Sequence, residues 1–493
     1  MTGTWPGSAA DRWAHPPDEA DVYAEALQAA TAAARRVSQY PAGTGHPGSS
    51  PRSEPAAADE PDRYNCFASR CSVGPTCTGP LSGLDIGLKD NISLAGVPMT
   101  LGSAAMAGYV PDTDAAVVTM LLAAGARIVG KLRMDAFSFG SEGFGSGLDP
   151  DGRCDNPAAP GHLSGGSSSG AAVATAAGLV DAALGGDQGG SVRVPAAWCG
   201  VVGLKPTRGM VPDSGVVGLE PTIDSVGPIS RSARQAALVL QAVRRPDTVG
   251  RDPDPGWPGT GEDLADLRLG LLREGFGYPG GDQGVDAAVH EEVRRLTERG
   301  ATARWISVPE HHEGLAVGYL LQLLGACVLF GSRGYSNAGG GASPALARAL
   351  DLAVTERAAS LPPRAKLAMM LGSELGSGAL ELYQHCTALA GRFRRSYDQA
   401  LRDVDVLVLP TTPVLPPRYV PPSSRLEALR RALLRPGLEL VAANTSPFNV
   451  TGHPAVTIPA GRSNGLPVGA MLVGRWFDDL RLLRIGERME AAA

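Results

Sequence analysis

Two serines set among glycines carry the first chemical signal. Ser167 lies in Gly165 to Gly170, GGSSSG, and Ser191 closes Gly185 to Ser191, GGDQGGS, 24 positions further on. Glycine beside a serine permits positive φ and lets a ligand approach the backbone with no Cβ in the way. In Gln188, Gly189 and Gly190 successive N–H groups can then converge on one anion, as in an oxyanion hole. A serine among such donors becomes a nucleophile once a base takes its proton. The chain offers Lys89, in the run Leu84-Asp85-Ile86-Gly87-Leu88-Lys89-Asp90-Asn91. Leu84, Ile86 and Leu88 alternate, which predicts a half-buried strand that delivers Lys89 at or near its end. Burial penalises an ammonium and draws a lysine pKa from about 10.4 toward about 7 to 8 in catalytic cases. Taken singly, each residue has a plainer reading: a serine in a glycine-rich turn, or a solvated lysine beside Asp90.

Around these residues stand others that support or compete. Asp187, two before Gly189, and Arg193, two after Ser191, lie in an apolar stretch and read as a clamp that holds the loop's curvature through a charge-assisted bond. Gly166 to Gly170 also satisfies GxSxG with Ser168 at its centre, and His453 could be offered as that template's histidine. That reading leaves GGDQGGS and Lys89 without a task. A phosphate-binding loop is disfavoured, because neither GxxxxGK[ST] nor a GxGxxG set between strand and helix is present.

Taken in order, LDIGLKDN, GGSSSG and GGDQGGSVRVPAAWCGVVGLKPT resemble the amidase signature family, which uses a Ser-Ser-Lys triad. The resemblance makes Ser191 the nucleophile, Ser167 a bridging serine that follows a cis peptide bond, and Lys89 the general base. It also implies a supporting place for Ser168, and an aromatic lining of the acyl pocket at Phe144. YNCF at Tyr64, GVPMTLGS at Gly96, TIDSVGPISR at Thr222, LREGFG at Leu272 and FNVTGHPAVTIPAG at Phe448 extend the likeness over residues 60 to 490. Within the family the look is that of the enantioselective amidases of nitrile-degrading bacteria. The function this implies is hydrolysis of a small-molecule carboxamide to carboxylate and ammonia or amine, with no metal or organic cofactor. Acyl transfer to another amine, or service as the glutaminase half of a tRNA-linked amidotransferase, are the alternatives. Ser169 departs from the family's usual glycine and is expected to restrict the loop or to add a hydroxyl to the relay.

The elements that must position these groups alternate along the chain. Asp114 to Ala124 reads as an apolar helix and Ala126 to Lys131 as a strand; Ser169 to Gly178 reads as a helix and Val180 to Leu184 as the next extended piece. Short-linked alternation predicts an α/β fold, and the resemblance implies one large mixed β-sheet flanked by many helices. Residues 1–60 divide into a helix over Ala20 to Val37 and a Pro/Gly/Ser-rich linker. The remainder divides into a signature core at 61–242, a mainly helical pocket region at 243–402, and the end of the core sheet at 403–493. Leu315 to Phe330, the longest apolar run, is shorter than the roughly 20 residues of a bilayer span and reads as a core or pocket-lining helix. Val404 to Pro413 and Ala455 to Ile458 read as structural strands.

Composition sets the outer limits. The chain has 493 residues, 43% hydrophobic and 19% charged, with a formal net charge of −6, ordinary values for a globular enzyme. A mild acidic balance without a Lys/Arg run argues against a nucleic-acid partner or an anionic membrane. Seven cysteines in so long a chain point to reduced thiols and a cytoplasmic setting. Cys66, Cys71 and Cys77 lack metal-ligand spacing. MTGTWPGSAADRW has no basic start followed by an apolar core, so a signal peptide is not expected. The resemblance implies a homodimer, its N-terminal helix packing on the partner.

Overall fold

The computed structural model describes residues 28–33, 35–36, 62–144, 152–251, 267–332, 343–434 and 438–491. The chain divides into Met1–Pro47 and Gly48–Ala493. In the first unit the described residues, 28–33 and 35–36, are helical (α1), within the helix expected there; the linker expectation lies outside the described residues.

Among the described residues of the second unit, eleven strands form one sheet in the order β1-β3-β2-β4-β6-β5-β10-β11-β9-β7-β8. In chain order they are β1 (Phe67–Val73), β2 (Asp85–Lys89), β3 (Arg127–Leu132), β4 (Ala182–Asp187), β5 (Val202–Lys205), β6 (Ser225–Ser230), β7 (Arg268–Leu272), β8 (Thr302–Ile306), β9 (Val406–Pro410), β10 (Ala455–Ser463) and β11 (Leu466–Val473). β2 runs parallel to β3 and β4, and β7 runs parallel to β8 and β9. The other pairings are antiparallel. This is the large mixed sheet of the α/β reading.

Both faces of the sheet are covered, which is why its central strands are buried along their length. Ile86, Leu88, Ala182, Leu184, Val456 and Ile458 point to one face. There they meet α2 (Ala116–Ala123), α5 (Ala233–Val243), α6 (Gln283–Glu298) and α14 (Asp479–Glu490). The alternate residues face α3 (Ser169–Ala176), α4 (Arg193–Cys199) and α13 (Ser446–Thr451). Because side chains alternate along a strand, a chain that buries Leu88 on the first face delivers Lys89 to the second. The helix expected at Asp114 to Ala124 and the strand expected at Ala126 to Lys131 are present as α2 and β3, and the expected strands near the C-terminus as β9 and β10.

Over the second face lie α7 (His311–Gly331), α8 (Pro344–Thr355), α9 (Pro363–Leu375), α10 (Gly378–Ala400), α11 (Arg425–Leu434) and α12 (Leu438–Ala442). Leu323, Leu346 and Ala365 join Met99 and Leu101 in a second cluster, and Val317, Phe393 and Val450 form another. α7 contains the long apolar run. It is long and apolar enough to cross a membrane, with a mean hydropathy of 1.9 and 56% of that window buried inside the protein. The region 243–402 differs from the mainly helical expectation in one respect. β7 and β8 belong to the core sheet, and an apolar run as short as Leu269 to Leu272 cannot be told from a helix segment by periodicity.

Candidate active site

β2 and β4 are parallel with Leu88 opposite Leu184, so Lys89 and the Gly185-Gly186-Asp187 end of β4 share one edge of the sheet. The carboxyl ends of parallel strands are where α/β sheets gather their ligands. Gly186 makes the gathering possible. A Cβ there would press on the side chains of Asn91 and Gln188 at 3.2 Å and approach Lys89 Nζ at 3.7 Å. Beyond β4 the loop curls through Gly190, whose φ of +132° and contact with Thr445 exclude any residue with a Cβ.

Lys89 Nζ lies 2.7 Å from Ser167 Oγ and donates to the Gly186 carbonyl at 3.1 Å. Lys89 and Ser167 are fully buried, while Ser191 keeps 6% of its surface exposed. The Gly166–Ser167 peptide is cis. The Ser168 N–H donates to the Ser191 carbonyl at 3.1 Å, tying the two serine loops together. Burial draws the Lys89 amine down to about 7, against the pull of the Asp135, Asp187 and Asp224 carboxylates. The amine is thus largely able to lose its proton near neutrality.

Asp187 and Arg193 form a buried bidentate pair, Nε to Oδ2 and Nη2 to Oδ1, each at 3.0 Å. The same carboxylate accepts the Gly190 N–H at 2.7 Å and the Val192 N–H at 3.1 Å. Burial opposes its ionisation, but Arg193, with Lys205 and Asn449, outweighs burial and holds the carboxyl well below the usual carboxylate range. Arg193 in turn donates to the Thr445 carbonyl and to Asn449 Oδ1, and Asn449 Nδ2 returns to Asp187. The clamp read from the sequence is therefore part of a closed buried network.

One expected donor is committed elsewhere. The Gly190 N–H is spent on Asp187, while Thr445 Oγ1 donates to the Gly189 carbonyl at 2.6 Å. In a trans peptide the carbonyl and the next N–H point opposite ways, so these two bonds lock one peptide plane from both sides. Among the described residues no hydrogen bond takes the N–H of Gln188, Gly189 or Ser191.

Gly189, Ser191 and Gln322 line a cavity of about 480 Å³, with Leu315, Ala316 and Tyr319 of α7 on its wall. Phe144 is not among the residues lining it; its ring packs at 6.0 Å from Tyr419 and against the Trp198 cluster. Ser168 Oγ donates to the Gly186 carbonyl at 3.2 Å. His453 is buried, bridging Thr451 Oγ1 at 2.9 Å and Asp398 Oδ1 at 3.2 Å. The GxSxG template thus lacks its serine-histidine contact. Ser169 turns its hydroxyl to the Arg133 carbonyl and toward Cys154, away from Lys89. No cluster of three or more His, Cys, Asp or Glu able to hold a metal ion occurs among the described residues.

Four neighbours of the site escaped the sequence reading: Asp135, Gln322, Thr445 and Asn449. The Asp135 N–H donates to the Ser167 carbonyl at 3.0 Å and its Oδ2 accepts from the Gly143 N–H at 3.1 Å. A polar residue just past β3, itself parallel to β2, was a usable signal for it. Gln322 donates to the Gln188 carbonyl at 3.1 Å from the middle of an apolar helix; its polarity inside that run was the available hint.

Comparison with known proteins shows the family and the fold. A glutamyl-tRNA(Gln) amidotransferase subunit from Natronomonas pharaonis is 36% identical over 86% of this chain and 99% of its own length. The enantioselective amidase of Rhodococcus rhodochrous is 35% identical over 86% of this chain and 82% of its own length. The solved structure of 6-aminohexanoate cyclic dimer hydrolase with substrate superposes with a TM-score of 0.71 at 26% identity, covering 84% of this chain and 86% of that one. The Amidase family profile matches residues 70–483, and the chain belongs to that family, the amidase signature enzymes.

Proposed function

We propose that this amidase-type enzyme hydrolyses a linear carboxamide through an acyl-enzyme on Ser191, with Ser167 and Lys89 as its proton relay. The observation that carries the reading is the 2.7 Å approach of Lys89 Nζ to Ser167 Oγ in a fully buried setting. Neutral Lys89 takes the Ser167 proton as Ser167 takes that of Ser191. Ser191 Oγ bonds to the amide carbon, and the oxyanion is met by N–H groups of Gln188, Gly189 and Ser191. The C–N bond then breaks, the proton returns through Ser167 to the leaving nitrogen, and ammonia or amine departs. Water gives a proton to the same relay, adds to the ester and restores Ser191. The sum is amide plus water to carboxylate plus ammonia or amine. Ser168 and the Asp187–Arg193 clamp hold the loops in register.

A second reading has the support of the Natronomonas relative and of others bearing the same name. In it the acyl-enzyme forms from glutamine, and the ammonia passes to a protein partner in place of release. Both readings share the first half-reaction. A fluorophosphonate is expected to label Ser191, and Ser191→Ala is expected to abolish both label and ammonia release from a panel of simple carboxamides. Label that survives Ser191→Ala but not Ser168→Ala overturns the assignment. Turnover of glutamine alone, rising only when partner proteins are added, selects the second reading.

A further inference from the structure

The cavity beside Ser191 carries charge of one sign. Among the described residues that line it, Arg364 is the permanently cationic side chain and none is Asp or Glu. Arg364 stands half-buried in the first turn of α9. Its Nε donates to the Ala432 carbonyl of α11 at 3.0 Å. That bond fixes the stem and leaves both terminal nitrogens without an ion pair or hydrogen bond among the described residues. Leu315, Ala316, Leu433 and Ala442 line the same cavity with aliphatic surface. A guanidinium held this way, beside apolar walls and with no counter-ion among the described residues, presents two parallel donors suited to a carboxylate.

We propose that Arg364 receives an anionic terminus of the acyl group while Ser191 takes the carboxamide, so that the preferred substrates are mono-amides of dicarboxylic acids. The inference rests on the amide-cleaving reading of Ser191. An apolar chain joins the two polar ends of such a molecule, matching the aliphatic residues that line the cavity together with Ser191 and Arg364. A free α-amino acid amide such as glutamine fits less well, because its ammonium finds no carboxylate in the lining.

The test compares glutaramate, pentanamide and glutamine as substrates of the parent, Arg364→Met and Arg364→Lys. A charge-assisted pair predicts that the parent favours glutaramate over pentanamide in kcat/KM by about tenfold or more. Arg364→Met is expected to collapse that ratio toward one, and Arg364→Lys to restore part of it. A parent ratio of one or less overturns the proposal, as does a loss in Arg364→Met that falls equally on both amides. Glutamine turned over faster than glutaramate also overturns it. If no amide is hydrolysed, the hydrolase reading fails separately, and calorimetric binding of glutaramate to Ser191→Ala still decides. Binding weakened about tenfold or more by adding Arg364→Met supports the anion site, and unchanged binding refutes it.

Discussion

Replacing Lys89 by methionine is expected to remove the proposed base and, for the same reason, to stabilise the fold. Burial draws this lysine from 10.5 to about 7. Each tenfold change in proton affinity is about 1.4 kcal/mol, so the fall amounts to about 5 kcal/mol set against the folded state. The sign follows from linkage. The folded value is the lower one, so between pH 7 and 10.5 the unfolded chain binds more protons and stability rises with pH. Below about 7 the whole penalty is present; above 10.5 it is gone. Methionine has similar length and never carries the charge. Its cost is the contact to Ser167 and one bond to Gly186, about 1 kcal/mol each, and the Gly186 carbonyl keeps the Ser168 hydroxyl. Lys89→Met should therefore be more stable than the parent by about 2 to 3 kcal/mol near pH 7, an advantage lost by about pH 10. Guanidinium denaturation of both proteins at pH 6, 8 and 10 reads this directly. Taking the difference cancels other titrating groups, including Lys205, which burial and then Arg193 also draw to about 7. In the parent the same group sets the acidic limb: kcat/KM should climb about tenfold per pH unit up to about 7 and level off above it. A variant less stable than the parent at pH 6, a difference flat from pH 6 to 10, or a limb centred near the ordinary lysine value would refute the reasoning.

Asp187→Asn leaves the buried Arg193 without its counter-charge, and breaking such a pair is expected to cost about 3 to 5 kcal/mol in denaturant unfolding. The Gly190 and Val192 N–H groups lose their carboxylate at the same time, so fluorophosphonate labelling of Ser191 should fall with stability and not recover at low temperature. Ser169→Gly, at the first residue of α3, is expected to change kcat/KM by no more than about twofold while lowering stability by roughly 0.5 to 1 kcal/mol through loss of its bonds to Arg133 and Cys154. A tenfold loss of turnover there would place its hydroxyl in the relay after all.

The parts of the site that were legible in the sequence are those set by local rules. Leu84, Ile86 and Leu88 assign a face to every residue of β2, and the face opposite Leu88 is the one that meets α3. Glycine runs announced both serine loops, and the spacing of Asp187 and Arg193 announced their clamp. What could not be read is what arrives from far along the chain. Gln322, Thr445 and Asn449 touch the Ser191 loop from 134 to 262 positions away, and no periodicity in their own segments distinguishes them. The fate of the Gly190 N–H was hidden for the same reason. A glycine-rich stretch implies free donors, but which of them stays free depends on where a neighbouring carboxylate and Thr445 come to rest. Phe144 shows the limit of carrying a role by position, since its ring turned to Tyr419 and Trp198 in place of the cavity.

Two buried lysines on adjacent strands differ in the way that suits Lys89 to the proposed role of base. Lys131 of β3 and Lys89 of β2 are both fully inaccessible, and burial lowers the pKa of each. Lys131 has Asp90 at 3.2 Å, an ion pair that favours the ammonium against burial and gives it a structural task. Lys89 has a hydroxyl and a carbonyl in contact and, among the described residues, no carboxylate within ion-pair distance. The nearby carboxylate of Asp187 is taken up by Arg193, Asn449 and two backbone N–H groups. The clamp therefore acts twice: it curves the loop that carries Ser191, and it withholds from Lys89 the partner that would hold its proton. A base made this way needs a neighbouring acid already satisfied, which is why Arg193 lies buried beside the relay when its charge would be cheaper at the surface.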